Sequence, residues 1–485
     1  MAEQLEPQTP QDEQLPKPKR KRRWARLLVV LAIIIALPVV AWLGWYGYAA
    51  WSLAAEVQRL RDAGEPMDLS DFDRPAIPDE QNAAVLYKQA LDTIHKLVEA
   101  SQSGGTVPWR SQDSTLYALQ NPDDAIAVLE PYRAALAQLR GARSRSGLHW
   151  GCPLGELAAA NSEAWKATPW SRMREAMQTL ALAAGGDRVV GDDAEAIRRC
   201  FDMLSLAESA NDVPVMIGEL VTIACRRVAC STLEVLTPEL KVGQGAENAS
   251  REQVRELIAH LLDADARGKD FAGSCRGERA FILASDQDPG DGPNILMTPP
   301  CLLGVRDAVR VLTVVINDRG RSAWSEMQPK LTQIAGESTG EGFLSEPSWA
   351  RQPSIMASTP RLYYGGEAQM RMAAVALAIR LYEIDHGQRP EALAALVPDY
   401  LDALPTDPFD PAGGTFRYLP QAERPRLYSL GADCIDHGGI TQMERGQAGA
   451  GNLNDVDQVF FLNGADEATG NPMIVQEAQL RSAGR

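Results

Sequence analysis

The sequence has little of the residue types from which catalytic and metal centres are commonly built. Its 485 residues include only five histidines and seven cysteines. No C-x-x-C pair occurs, and no Cys/His spacing is typical of a zinc site. The H-E-x-x-H, Walker and dinucleotide-binding motifs are absent as well. The sequence therefore gives no support to the readily recognised zinc-dependent and nucleotide-binding classes.

Basic residues are outnumbered by acidic ones, with 48 Lys and Arg against 64 Asp and Glu, and the formal net charge of the chain is −16 at pH 7. An acidic surface repels the phosphate backbone of DNA and RNA. We therefore expect no nucleic acid among the partners.

The cysteines are spread along the chain, and their odd number leaves at least one of them without a partner inside the chain. In an oxidising compartment some of them can pair, although sequence alone does not give the connectivity. Cys225 and Cys230 point to different faces of one predicted helix, which argues against a bridge between them.

One long apolar run stands out at the N-terminus. No Asp, Glu, Lys or Arg occurs from Leu27 to Ala55, whereas residues 17–26 are rich in Lys and Arg. At roughly 1.5 Å per residue, a helix of this length crosses a bilayer core of about 30 Å. The basic flank favours the cytoplasmic side. The pattern predicts a single-pass protein of the inner (cytoplasmic) membrane, with the lipid bilayer as a partner, the N-terminus in the cytoplasm and the remaining chain outside it.

A cleaved signal peptide is the alternative interpretation. Its apolar core is usually about 7–15 residues long, much shorter than the run found here, so the length favours a retained anchor. The small residues between Ala49 and Ala55 leave cleavage open. Aromatic residues gather toward the outer end of the run, as in the aromatic belts of membrane helices: Trp42, Trp45, Tyr46, Tyr48 and Trp51.

Composition and hydrophobic periodicity predict a mainly α-helical protein. We assign residues 1–26 to a disordered basic tail, 27–55 to the anchor, 56–78 to a linker, 79–285 to an irregular α-helical ectodomain, 286–360 to a loop-rich region, 361–465 to a small α+β module and 466–485 to a tail. Apolar residues at spacings of three and four predict the ectodomain helices. Their predicted ranges include 123–139, 156–184, 193–209, 214–236 and 251–266, and one further helix is expected at 301–316.

The C-terminal module combines one strong helix with short strands. Met370, Leu377 and Ile384 belong to one apolar stripe of the helix, and Gly387 marks its end. Alternating and aromatic residues then predict strands at 415–418, 426–429 and 458–462. The pattern indicates a helix packed on a small antiparallel sheet.

The same region, about a hundred residues from Arg361 to Leu462, resembles the major pseudopilin of type II secretion systems. The residues that carry the resemblance are Leu381-Tyr382, His386-Gly387, Arg389-Pro390, Leu396-Val397-Pro398, Asp407-Pro408-Phe409 and Tyr428-Ser429-Leu430-Gly431-Ala432-Asp433. The whole chain also resembles membrane-anchored proteins of planctomycete-like bacteria, and that resemblance implies no activity.

The pseudopilin resemblance implies a structural calcium ion in the loop that follows the middle strand. Calcium takes six to eight oxygen ligands, which two acidic clusters and backbone carbonyls can supply. The ligand candidates that match the family pattern are Asp433, Asp436, Asp455 and Asp457. The alternative is that these Asp and Gly residues only mark turns in a solvated loop.

The chain departs from the pseudopilin pattern in two ways. It lacks the short leader and the early glutamate of the apolar helix, and about 300 residues separate the anchor from the C-terminal helix. Assembly into a pseudopilus is therefore not carried over.

These patterns predict a binding or scaffolding protein of the cell envelope, which contacts other envelope proteins and has a secretion-related end. An extracytoplasmic metal-dependent or acid/base enzyme is the alternative. Glu278 is an acid/base candidate because charged neighbours and an apolar run surround it, although a surface ion pair would give the same pattern.

Overall fold

The computed structural model describes residues 20–102, 108–110, 113–157, 168–285, 298–338, 353–440 and 457–464. Within these ranges the chain is mostly helical, as predicted, and one small sheet is present. The helices are α1 (Arg20–Asp62), α2 (Ala83–Gln102), α3 (Ser114–Gln120), α4 (Pro122–Leu129), α5 (Arg133–Arg143), α6 (Trp170–Val189), α7 (Asp193–Ser209), α8 (Met216–Leu236), α9 (Arg251–Leu262), α10 (Ala264–Ser285), α11 (Thr298–Asp318), α12 (Trp324–Ser338), α13 (Pro353–Ser358) and α14 (Pro360–His386).

Helix α1 contains the apolar run and continues through Pro38 without a break. Its side chains from Trp24 to Tyr48 are exposed, apart from the half-buried Trp42. In the described part of the chain, the stretch Trp24–Asp62 is long and apolar enough to cross a membrane, with a mean hydropathy of 2.9 in its most apolar window. A signal sequence meets the same two criteria.

The C-terminal part of α1 packs against α11. Ala49 and Ser52 are buried, and the Arg306 guanidinium donates a hydrogen bond of 3.0 Å to the Ser52 hydroxyl. α1 ends at Asp62, and Met67 and Leu69 beyond it are also buried. The region that the sequence assigned to a linker (56–78) is thus packed against the helical domain along much of its length.

The helices of residues 79–285 follow the predicted periodicity except at three places. The predicted helix 251–266 ends at Leu262, and a separate helix that was not predicted, α10, runs from Ala264 to Ser285. Helix 123–139 is divided by a 3-10 turn at Glu130–Tyr132, because Pro131 has no amide hydrogen for the α-helical ladder. The predicted helix 156–184 is observed from Trp170 onward, and residues 158–167 of the predicted range lie outside the described residues. Neighbouring helices α6, α7 and α8 pack against one another across short connections.

The region 286–360 is less irregular than predicted, which corrects the sequence interpretation. Besides α11, it contains α12, the whole of α13 (Pro353–Ser358) and the first residue of α14, Pro360. The Pro, Gly and Ser content concealed α12, since Pro329 lies inside this helix. Nevertheless, Trp324, Met327 and Leu331 are buried on one face with helical spacing.

The C-terminal helix and strands form as predicted. β1 (Arg417–Leu419), β2 (Arg426–Ser429) and β3 (Gln458–Phe461) make an antiparallel sheet in the order β1-β2-β3. α14 packs on β2 and β3 and also on α8 and α9. One cluster of buried side chains extends from Leu69 to Leu462, so the C-terminal module shares its core with the ectodomain helices.

All seven cysteines are free in the structure. Cys200, Cys225, Cys230 and Cys275 are buried, and burial raises the pKa of each thiol. These cysteines pack as small apolar side chains.

Gly277 on α10 gives a direct test of the packing. A Cβ atom there would lie 1.6 Å from the Pro214 carbonyl oxygen, whereas a Cβ at Gly273, one turn earlier, meets no atom within 4 Å. We expect Gly277→Ala to destabilise the protein by at least about 2 kcal/mol because backbone must move. Gly273→Ala should be neutral or stabilising by up to about 1 kcal/mol. Thermal melts of both variants measure the difference, and equal melting temperatures would contradict this packing.

Candidate functional site

Two places bring polar side chains together in a way that bears on function. The first is the loop 431–439 between β2 and β3, where the sequence predicted calcium. Asp457, which is 4% exposed, accepts hydrogen bonds from the backbone amides of His437 (3.1 Å) and Gly439 (2.8 Å). Burial raises the pKa of this carboxyl. Asp457 therefore holds the loop through main-chain contacts.

The other two described aspartates of the predicted site lie on the same loop. Asp433 accepts a hydrogen bond from the Ile435 amide (3.1 Å), and Asp436 accepts one from the Gly438 amide (2.9 Å). The His437 ring lies between Asp433 and Asp457, at 3.6 and 3.7 Å from their carboxylate oxygens.

As arranged, these side chains do not form a calcium shell. No group of three or more His, Cys, Asp or Glu side chains in the described ranges has an arrangement that holds a metal ion. The fourth candidate ligand, Asp455, lies outside the described residues. The loop brings Asp433, Asp436 and Asp457 together, and the calcium ion itself stays a prediction.

Asp407 holds the same region together from outside the loop. It is 2% exposed and accepts hydrogen bonds from the Ser429 hydroxyl (2.7 Å) and from the amides of Leu430 (3.0 Å) and Phe409 (2.9 Å). Burial raises the pKa of the Asp407 carboxyl, and these bonds oppose the effect. Asp407 belongs to the Asp407-Pro408-Phe409 motif noted in the sequence. Only the fold shows that it fixes the end of β2.

The second place is a cleft of about 500 Å³ between the helices α4 and α5 on one side and α6 and α7 on the other. We call it the interhelical cleft. Gly186 on α6 allows the close approach of α4, since a Cβ there would lie 2.8 Å from a Leu129 methyl carbon. The residues that line it are Ile126, Leu129, Arg133, Leu136, Ala137, Arg140, Ala183, Gly186, Asp187, Val190, Glu195 and Arg199.

The charged residues of the interhelical cleft are paired with one another. Arg199 contacts Asp187 and Glu195, each at 3.0 Å. Arg140 contacts Glu195 at 2.9 Å and the buried Asp202 at 2.7 Å. Burial raises the pKa of Asp187 to about 6, and the nearby arginine opposes that rise. The cleft combines an apolar lining with a closed ion-pair network.

Two apolar side chains at the interhelical cleft are unusually exposed. Val190 is 61% exposed and Ile126 is 40% exposed. Apolar side chains at the rim of a concave surface are typical of places where another molecule binds. The sequence did not identify this cleft, because its two walls are separated by about 50 residues and meet only in the folded chain, where α4 packs on α6 and α5 packs on α7.

Glu278 is buried, which rules out a surface ion pair. It is 1% exposed, and one carboxylate oxygen accepts a hydrogen bond of 2.9 Å from the Met216 amide at the start of α8. Burial raises its pKa to about 7. Glu278 does not line the interhelical cleft, so its position supports a role in packing the N-terminus of α8.

Glu219 is a second buried acid, and it was not identified from the sequence. It is fully buried, and neither of its carboxylate oxygens has a hydrogen-bond partner within the described residues. The nearest charge is Arg226, at 3.9 Å. Burial raises the pKa of Glu219 to about 7. A group of this kind makes stability sensitive to pH.

The segment Gly336-Glu337-Ser338-Thr339-Gly340 matches the G-x-S-x-G pattern of serine hydrolases. That pattern indicates a nucleophile when the serine lies on a sharp turn between a strand and a helix. Ser338 instead ends α12, and Leu331 of the same helix is packed in the core. The match therefore does not indicate a hydrolase.

Comparison with protein-family models, with curated proteins and with solved structures finds no match. The function must therefore be argued from the interhelical cleft, the C-terminal loop and the position of α1.

The pH dependence of stability tests the state of Glu219. Its pKa of about 7 lies above the ordinary glutamate value of 4.5, so its stabilising contribution is complete below pH 4.5 and is lost as pH rises through 7. A shift of this size corresponds to about 3 kcal/mol. We expect wild-type stability to fall between pH 5 and pH 8, and Glu219→Gln to fall less.

Thermal melts at pH 5 and pH 8 measure this difference. The matched control is Glu252→Gln on the exposed face of α9, which should keep the wild-type pH dependence. If Glu219→Gln loses as much melting temperature as the wild type between pH 5 and pH 8, protonation of Glu219 does not stabilise the fold, and the prediction is wrong.

Proposed function

We propose that this chain is a single-pass protein of the inner membrane, with its N-terminus in the cytoplasm and a helical ectodomain that binds other envelope proteins. The length and hydropathy of α1 support membrane anchoring. The basic residues that precede it support the orientation.

The packing of α1 supports a retained anchor over a cleaved signal sequence. A peptidase needs an accessible, extended backbone. The small residues where cleavage was left open, from Ala49 to Ala55, lie inside the unbroken helix, and Ala49 and Ser52 are buried against the domain.

The interhelical cleft carries the binding function. It is concave and mostly apolar, and Val190 and Ile126 are exposed beside it. Grooves between packed helices also accept apolar side chains from a helix or an extended segment. A protein segment that places an apolar side chain between α4 and α6 is the partner that this geometry fits.

An acid/base enzyme is the second candidate, and one observation favours it. Asp187 and Glu195 lie in the interhelical cleft with pKa values moved in opposite directions, upward for Asp187 and downward for Glu195. Burial acts on both carboxyls, and hydrogen bonds from arginines outweigh it at Glu195. Two carboxyl groups set apart in this way are found in acid/base active sites.

The calcium site and the link to secretion belong to the same proposal. The pseudopilin resemblance supports them, as does the convergence of Asp433, Asp436 and Asp457 on one loop. A bound calcium ion would add order to that loop, and its shell would also need oxygen from Asp455 and from backbone carbonyls.

Site-specific photo-crosslinking in intact cells tests the binding function. We place a photoreactive phenylalanine analogue at Val190, beside the cleft, and at Ile217, an exposed apolar position on α8 that does not line it. We expect an adduct with another envelope protein from Val190 only. Ala137→Arg, which fills the cleft, should remove the adduct. The absence of any adduct at Val190, or the same adduct at both positions, contradicts the binding function and leaves the enzyme.

Calcium dependence of the melting temperature tests the C-terminal loop. Calcium at 100 times its dissociation constant should stabilise the full-length protein by about 2.7 kcal/mol relative to chelator. Asp433→Asn should abolish this difference without lowering the melting temperature in chelator. Asp457→Asn should lower the melting temperature even in chelator, since the Asp457 carboxylate accepts hydrogen bonds from two backbone amides. Identical wild-type melts with calcium, magnesium and chelator would reject the site.

A further inference from the structure

Helix α11 runs parallel to the outer part of α1, and three contacts set its direction. Arg306 bonds to Ser52 at 3.0 Å, and Arg310 lies 3.7 Å from Glu56. Just beyond the end of α1, Arg279 of α10 connects Glu65 (2.8 Å) to Thr313 of α11 (3.4 Å). Residue numbers therefore rise in the same direction along α1 and α11, and the N-terminus of α11 points toward the apolar run.

The depth of this N-terminus follows from helix geometry. With the inner edge of the apolar run at Arg26, about 20 residues cross a core of about 30 Å, which places the outer edge near Tyr46. Arg306 is level with Ser52. At roughly 1.5 Å per residue, Leu302 lies about 6 Å closer to the bilayer centre than Arg306, at the level of Tyr48. Thr298, one turn earlier, lies at the level of Gly44. The first turns of α11 therefore reach the depth of the aromatic cluster on α1.

The chemistry of these turns suits the boundary between headgroups and acyl chains. No charged residue occurs in the sequence from Gly292 to Val305. Cys301, Leu302 and Leu303 are partly exposed, and none of them belongs to the buried core cluster. The first charged side chain, Arg306, is 7% exposed and is bonded to Ser52 and Asp307.

We propose that the N-terminal turns of α11, Thr298–Gly304, insert into the outer headgroup–acyl boundary beside α1, so that the ectodomain contacts the bilayer at a second place. This inference rests on the proposed membrane anchoring. An apolar helix end inserts a few ångströms below the headgroups and gains free energy from the apolar area that it buries. Two contacts, rather than one, fix the rotation of the ectodomain about the axis of α1.

Depth-dependent fluorescence quenching tests this contact. The full-length protein is reconstituted in phosphatidylcholine–phosphatidylglycerol vesicles that carry a nitroxide on a shallow acyl carbon. A small environment-sensitive dye is attached to Leu302→Cys in a background where the partly exposed Cys301 and Cys434 are replaced by serine. Tyr48→Cys on α1 is the positive control. Asn317→Cys is the negative control, since it is exposed on the same helix about 22 Å farther along.

We expect the nitroxide to quench the dye at Leu302→Cys and Tyr48→Cys at least several-fold more than at Asn317→Cys. Leu303→Asp, introduced beside the Leu302→Cys label, should reduce the quenching there and leave that at Tyr48→Cys unchanged. Quenching at Tyr48→Cys without quenching at Leu302→Cys overturns the second contact and keeps the anchor. Loss of quenching at both positions overturns the membrane anchoring itself.

Discussion

The packing of α1 against α11 is the constraint on which the rest of the architecture depends. α1 is one helix with two environments. Its side chains from Trp24 to Tyr48 are exposed apart from the half-buried Trp42, whereas from Ala49 onward one face of the helix, with Ala49, Ser52 and Leu60, is buried. At the junction, the buried Arg306 is compensated by Asp307 at 2.6 Å and by the Ser52 hydroxyl. A buried arginine without such partners is strongly destabilising. The sequence therefore ties the position of the ectodomain to the direction of α1, and a flexible linker is not what joins them.

Behind this junction, the centre of the ectodomain contains an unusual amount of buried charge. Arg267 of α10 forms a two-point pair with Glu367 of α14, at 2.5 and 3.0 Å. Glu219 and Arg226 of α8 lie nearby with several unsatisfied polar atoms. Gly277 allows α10 to approach the Pro214 carbonyl closely. The helices are thus held by charge pairs and close backbone contacts as well as by apolar packing. A change in pH that alters the ionisation of these buried groups therefore changes the stability of the core.

Local patterns predicted the secondary structure better than the site. The alternating and aromatic residues of β2 identify Arg426–Ser429 without error, and the stripe of α14 identifies that helix, because both signals depend on neighbours in sequence. α12 was missed because the Gly, Pro and Ser content of residues 286–360, which includes Pro329 inside the helix, predicted a loop-rich region. The interhelical cleft depends on Arg140 of α5 meeting Glu195 of α7, and such a pairing across 55 positions leaves no periodic trace. Likewise, Glu219 is fully buried because other helices pack over it, and the sequence of α8 alone does not show this.

Under the proposed binding function, the ion pairs of the interhelical cleft would limit which partners it accepts. Arg199 is shared by Asp187 and Glu195, while Arg140 is shared by Glu195 and Asp202. An acidic partner would have to compete with carboxylates that already hold these arginines, and a basic partner would have to displace the arginines themselves. Either exchange costs desolvation without a net gain of ion pairs. Under the proposed binding function, selection therefore depends on the apolar contacts of Ile126 and Val190 and on shape, while the ion pairs of Arg140 with Glu195 and Asp202 hold α5 against α7.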